Sequence, residues 1–302
     1  MAGHALIFSK PFYLRLSLGQ LVIIDTKEDH ELRRIPVEDL DFVVLDHPQV
    51  KCSAGLIQEL ASNDVVVIYC DEKHMPHSQL LPFTGNHIFQ QRLRLQLDAT
   101  KPQRKALWQQ VIKCKIANQA AVISAFGGNA QPYLRGSRNV KSGDTGNEEA
   151  KAASRYFKEL FGSGFRRVRF GDAPNNFLNY GYTILRATVA RSLVASGLHP
   201  ALGLHHKNKY NAFCLADDVM EPYRPFIDWH VRAWGDEEIL PEDLTTEDKG
   251  RLILLMQEPC ILGKKQLSLK AAVLKSCQSL ALVLEGKRKR LQFAIPCPKQ
   301  SP

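Results

Sequence analysis

The sequence predicts an α+β protein: a small β-rich N-terminal domain over residues 1–90, followed by a larger, mainly α-helical domain over 91–302. Three observations point there. The apolar period is close to two before residue 72 and close to 3.6 after residue 91. A stretch between them, 72–90, breaks both periods with Pro76, Pro82, Gly85 and histidines such as His77 and His87. The length of 302 residues also suits two domains at roughly 150 residues each.

The elements follow in order. Phe12, Leu14, Leu16 and Leu18 alternate with Tyr13, Arg15 and Ser17, and a Gly19-Gln20 turn leads into Leu21–Ile24 as a hairpin. Strands are expected near Arg34–Val37 and Phe42–Leu45. Ser53 is placed to cap a short helix carrying Leu56, Ile57 and Leu60. The β-branched run Val65–Tyr69 reads as a buried strand. Thr100 and Pro102 start a helix with Leu107, Val111, Cys114, Ala117 and Ala121 on one stripe. Residues 126–146, rich in Gly, Ser and Asn, are expected to form a loop. A helix follows over 147–160, then a basic loop with Gly162, Gly164 and Gly171. Phe177–Ser196 reads as a longer helix closed by Gly197. Further helices are expected from Asp217, over 246–257 and over 266–284.

Composition excludes several classes. A 44% hydrophobic content argues against wholesale disorder. The longest apolar runs, such as 65–70, fall far short of the ~20 residues of a membrane span. Lys10 and Arg15 interrupt any leader-like core. Seven cysteines stand without C-x-x-C spacing, which suits buried thiols in a reducing compartment and argues against structural zinc. A cytoplasmic protein with no membrane partner is the expectation.

The charge is uneven. Forty Lys and Arg oppose 31 Asp and Glu, a net +9. Residues 1–90 hold 7 basic and 12 acidic residues, whereas 91–232 alone holds 22 and 10. One domain is therefore expected to meet a polyanion, with nucleic acid ahead of a membrane surface.

Three groups inside the basic region carry possible chemistry. Glu149 stands three and four residues before Ala152 and Ala153, which places a carboxylate on the apolar face of its helix. The alternative is a first-turn Glu favoured by the helix dipole. His205-His206 is a tandem histidine, and its bland reading is a pair of polar or capping residues. Asp217, Asp218 and Glu221 form an acidic cluster, in which Asp217 suits an N-cap and Pro222 restricts the helix to a first or kinked turn. Carboxylates with one imidazole suit a hard or borderline divalent cation such as Mg²⁺ or Mn²⁺, and a basic surround suits phosphodiester chemistry. The basic run Lys287–Arg290 reads most simply as a solvated tail.

The runs Glu149–Phe157, Leu178-Asn-Tyr180-Gly-Tyr182, Gly197–His206 and Asp218–Pro225 together resemble the CRISPR-associated integrase of spacer acquisition. The wording NKYNAFCLADDVMEPYRPF is similar to the type II variety, and the resemblance spans nearly the whole chain. It implies that Glu149, His206 and Glu221 hold a divalent ion, with Asp218 a ligand or an outer-shell group. It implies a homodimer formed through the β-rich domain, two such dimers flanking a small ferredoxin-like CRISPR-associated dimer, and double-stranded DNA as substrate. The reaction implied is attack by the 3′-hydroxyl of a spacer precursor on a repeat phosphodiester. Arg166, Arg167, Arg169, Lys207 and Lys209 are candidates for gripping phosphates, against the alternative of a solvated basic loop. Tyr156 and Tyr180 suit base stacking or, more simply, the core. Two other functions use the same residues: a metal-dependent nuclease acting on branched DNA, and a non-catalytic nucleic-acid-binding module whose acids cap helices.

Overall fold

The computed structural model describes residues 3–83, 85–169 and 171–297. The chain forms two compact units, one made of 1–83 and 244–257, the other of 84–243 and 258–302. The division differs from a single cut at residue 90, because the later helix Thr246–Leu254 packs on the first strand and so rejoins the first unit.

In the first unit, β1 (His4–Phe8) precedes the hairpin of β2 (Phe12–Ser17) and β3 (Gln20–Asp25). Leu18 and Gly19 turn it with φ of 49° and 72°, a conformation that glycine takes without strain. β4 (Glu31–Pro36) and the two-residue β6 (Lys51–Cys52) complete a sheet ordered β4-β3-β2-β6. β5 (Leu40–Leu45), β7 (Val66–Cys70) and β8 (Pro76–Gln79) make a second sheet, β1-β5-β7-β8, parallel until its last pair. Helix α1 (Ala54–Ser62) starts at Ser53, whose hydroxyl accepts from the Leu56 N–H as expected. Leu14, Leu21, Val43, Val67, Leu56 and Leu60 share one core. Asp46 lies buried in this unit with Lys249 Nζ at 2.9 Å.

The second unit is built on long helices. α2 (Phe89–Asp98) starts two residues inside the expected connection and runs on where the helical period was expected to begin, and α3 (Lys101–Ala125) follows a Thr100 cap whose hydroxyl accepts from the Gln103 N–H. The expected stripe on α3 is only partly inside: Leu107 and Val111 are buried but Ala121 is exposed. Trp108, Ile112, Ile116 and Ile123 extend the buried surface around the helix, so no narrow stripe describes it. The expected loop over 126–146 holds α4 (Gln131–Asn139), which packs on α3 through the buried Tyr133. Tyr133 is its one buried residue, and Gly136 and Ser137 meet neighbouring helices through a small surface and a hydrogen bond to the Lys113 carbonyl, so its composition reads as a loop. α5 (Glu148–Phe161), α6 (Asn175–Ala195), α7 (Cys214–Met220) and α8 (Arg224–Glu237) follow, with Gly197 closing α6 at φ 67°. After α9 (Thr246–Leu254) of the first unit come β9 (Pro259–Leu262) and β10 (Lys265–Ser268), and α10 (Leu269–Leu284) starts at a Ser268 cap. The expected helix over 266–284 thus loses its first residues to a hairpin. β11 (Ile295–Pro296) pairs with β9. Among the described residues no helix is long and apolar enough to cross a membrane.

Candidate active site

Glu149 stands in the first turn of α5, where the Asp144 carboxylate accepts the N–H groups of Glu148 and Glu149 at 3.0 Å each. That cap satisfies orphan donors of the helix start and holds Glu149 in place. Glu148 points away and pairs with Lys151. The Glu149 carboxylate instead meets Lys115 of α3, with Oε1 at 2.6 Å from Nζ. Lys115 Nζ also lies 2.5 Å from Oε2 of Glu221, and the other Glu221 oxygen accepts from Arg224 Nε at 2.8 Å. Burial opposes the Glu221 charge, but Arg224 and Lys115 outweigh it and bring its pKa down to about 2. The same burial works against the Lys115 ammonium, yet the two carboxylates raise its pKa and keep it charged.

Asp218 and His206 form a second cluster. Asp218 is fully buried in α7, and its carboxylate accepts the N–H groups of Leu204 at 2.5 Å, His205 at 2.9 Å and His206 at 3.3 Å. It also meets His206 Nδ1 at 2.6 Å. With Nδ1 as donor, Nε2 keeps the lone pair, the arrangement that orients a metal-ligating histidine. The bond to Asp218 raises the His206 pKa against a smaller opposing effect of burial, and the charge of Glu221 adds to the rise. Gly203 makes the tight loop possible: a Cβ there would strike the His206 carbonyl and come within 3.0 Å of Asp218 Oδ2. Trp108 stacks on His205 with ring centroids 4.4 Å apart and stands edge-on to His206. Asp217 is not the N-cap expected from sequence. It lies inside α7, bonded to Asn211, while the Pro200 carbonyl receives the Leu215 N–H at the helix start.

A cavity of about 350 Å³ lies beside Lys115 and Glu221. Arg167 reaches into it, donating to Asn175 Oδ1 at 3.1 Å and Asn179 Oδ1 at 2.7 Å and lying 5.1 Å from the Tyr182 ring centroid. Arg169 also lines it, whereas Arg166 does not. Lys207 and Lys209 are exposed on the loop after His206, Lys209 over the Tyr210 ring. Tyr182 donates to Asp228, whose pKa burial raises to about 6 while that hydroxyl holds it back. Tyr156 and Tyr180 are fully buried core residues.

The chain therefore brings Glu149 and Glu221 together on one ammonium and joins His206 to Asp218. Among the described residues, no three His, Cys, Asp or Glu side chains converge as a ready-made metal centre. Two carboxylates facing a single point cation are nonetheless a donor set that fits a hard divalent ion, and Lys115 stands where such a charge is shared. Sequence reasoning missed Lys115 as well as the roles of Arg224, Tyr182 and Asp228. The signal for Lys115 was a cation four residues after Val111 and three after Ile112, inside an apolar helix.

The family model for CRISPR associated protein Cas1 matches residues 5–259. The chain belongs to the Cas1 family. The CRISPR-associated endonuclease Cas1 of Neisseria meningitidis is 37% identical over 298 residues, covering 98% of this chain and 96% of that one. Among solved structures, a casposase bound to integration product superposes with a TM-score of 0.77 at 20% identity, over 96% of this chain and 92% of that one. A Cas6-RT-Cas1–Cas2 complex gives 0.71 at 20% identity, over 95% of this chain and 35% of that one. At those identities the likeness to the two structures is one of fold.

Proposed function

We propose that this Cas1-family chain is a divalent-metal-dependent DNA integrase of CRISPR spacer acquisition, joining a 3′-hydroxyl end to a repeat phosphodiester. The observation that carries the reading is the pair Glu149 and Glu221 sharing the single charge of Lys115 beside a cavity lined by Arg167, Arg169 and Arg224. Glu149, Glu221 and His206 are the residues that would hold Mg²⁺ or Mn²⁺, and the ion would supply Lewis-acid stabilisation of charge on the phosphate oxygens. Arg224 grips one oxygen of Glu221, so the other is presented in one orientation. Asp218 positions the His206 ring and acts through it. Arg167 and Arg169 suit the phosphate backbone, Arg167 from a guanidinium already held by two asparagines. Lys207, Lys209 and Arg166 suit looser phosphate contacts at the rim.

The assembly belongs to the same proposal. A homodimer through the β-rich unit, flanking a small ferredoxin-like CRISPR-associated dimer, is supported by the family membership and by the likeness to a chain from a complex that includes Cas2.

The test supplies double-stranded fragments with free 3′-hydroxyls, a repeat-bearing plasmid and Mg²⁺ or Mn²⁺. Joined product is expected from the native chain and not from Glu149→Gln or His206→Ala. Nicking without joining would favour a nuclease on branched DNA, and full joining by both variants would remove the site assignment.

A further inference from the structure

A second cation cluster lies in the helical unit, outside the cavity at Lys115. Gln109, Gln110 and Lys113 of α3, with Lys289, Arg290 and Leu291 of the C-terminal segment, line a cavity of about 640 Å³ that has no Asp or Glu in its wall. Lys113 and Lys115 are two residues apart, about 200° around an α-helix of 3.6 residues per turn, so α3 presents the two cavities on opposite sides.

The segment bearing Lys289 and Arg290 is fastened on both flanks. The Lys287 and Arg288 N–H groups both reach the Leu282 carbonyl, at 2.9 and 3.2 Å. Beyond the two cations, the Leu291 N–H donates to Gln110 Oε1 at 2.9 Å and the Gln292 N–H to Ser279 Oγ at 3.0 Å. Ser276 Oγ then donates to the Gln292 carbonyl at 2.6 Å. On the other wall the Gln109 amide is tied to the Val140 carbonyl at 2.7 Å.

Local acids are already committed. Glu285, the nearest carboxylate along the chain, pairs with Arg92 at 2.7 Å and Lys287 at 2.8 Å. Among the described residues no carboxylate pairs with Lys113, Lys289 or Arg290. Three like charges held around one acid-free cavity repel one another, and an anion with several charges offsets that repulsion best.

We propose that this cavity is a second DNA-backbone site, in which Lys113, Lys289 and Arg290 neutralise phosphates of duplex DNA on the side of α3 away from the candidate active site. The choice of DNA as the polyanion rests on the integrase reading. The cavity, its three cations and its pinned wall do not. A protein with phosphate contacts on both sides of α3 would hold DNA that extends past the reacting end, and it would do so without reading bases.

The test measures binding of a labelled duplex of about 40 base pairs to the full chain by anisotropy across a salt series, because each phosphate neutralised adds about 0.9 to the slope of log affinity against log salt. The triple variant Lys113→Ser/Lys289→Ser/Arg290→Ser is expected to lower that slope by about 2–3 and affinity near 0.1 M salt by about a hundredfold. The tail pair Lys289→Ser/Arg290→Ser, which leaves α3 intact, is expected to lower the slope by about 2. Lys287→Ser, whose charge is paired with Glu285, is the control and should leave it unchanged. An unchanged slope in the tail pair, or an equal drop in the control, overturns the proposal. Nicking without any joining by the native chain would overturn the integrase reading and leave this binding result standing.

Discussion

Two halves of the candidate site are assembled in opposite ways. Glu149, Lys115 and Glu221 come from α5, α3 and the turn before α8, and they are held by charge acting on charge. His206 and Asp218 come from neighbouring segments of one stretch, and the backbone N–H groups of 204–206 hold the carboxylate. In the first half a carboxylate stays ionised because cations touch it. In the second, backbone N–H donors point at the carboxylate and satisfy its oxygens. Asp228, beside the same cavity as Glu221 but with a tyrosine hydroxyl bonded to it, shows the effect of weaker support: its pKa goes up to about 6 where that of Glu221 goes down to about 2.

The largest expected effect asks whether the halves serve one reaction. Glu149→Gln and His206→Ala should each slow strand joining by at least about a thousandfold, equivalent to about 4 kcal/mol at the transition state. Loss in one variant alone, measured with matched folding by circular dichroism, would make them separate sites. Lys115→Met comes next. Removing one partner of a buried ion pair costs about 3–5 kcal/mol, so the melting temperature in chelator should fall sharply. Mn²⁺ should then restore part of it by binding the freed carboxylates. A melting temperature indifferent to Mn²⁺ would argue against Glu149 and Glu221 as shared metal donors.

Asp218→Asn tests the second half. An amide cannot accept from all the donors that Asp218 serves, so a loss of about 2–3 kcal/mol is expected. The His206 pKa should fall with it. In the native chain that pKa is raised by folding. The resulting stabilisation is complete below the unfolded histidine value near 6.5 and is lost as pH rises through the folded value. Denaturant melts across that range should show the slope in the native chain and not in the variant.

The smallest effect has the opposite sign. Asp228 holds its proton to about pH 6 in the folded chain, whereas the free carboxyl ionises near 3.8. Folding stability therefore declines as pH rises from about 4 to about 6, by no more than about 3 kcal/mol. Asp228→Asn keeps an acceptor for Tyr182 and removes the ionisation, so at pH 7 it should stabilise the chain by about 1–2 kcal/mol. A destabilised variant would mean that burial does not raise the Asp228 pKa and that its charge is favoured in the folded chain.

Much was legible along the chain because its causes are local. Ser53 and Thr100 cap the helices they were expected to cap, and Gly197 ends α6. The alternation of Phe12–Ser17 makes the hairpin, and the spacing of Glu149 against Ala152 and Ala153 put its carboxylate on an inward face. Elements whose reasons are distant were harder. α4 has one buried tyrosine, and its polar composition looks like a loop until α3 is there to cover it. The return of α9 to the first unit depends on a surface built more than 200 residues earlier.

The sequence by itself determined the β-then-α order, the acids and histidine available for chemistry, and the placement of positive charge in the second half. Periodicity, capping and net charge are properties of short or summed stretches, so one chain suffices to read them. Only the tertiary structure decided that Lys115 would stand between Glu149 and Glu221, and that Asp218 would be spent on the loop carrying His206. It also decided that the basic tail would be pinned against α3. Each of those outcomes depends on which distant group lies within about 3 Å, and at that range partners and burial decide what a charge does.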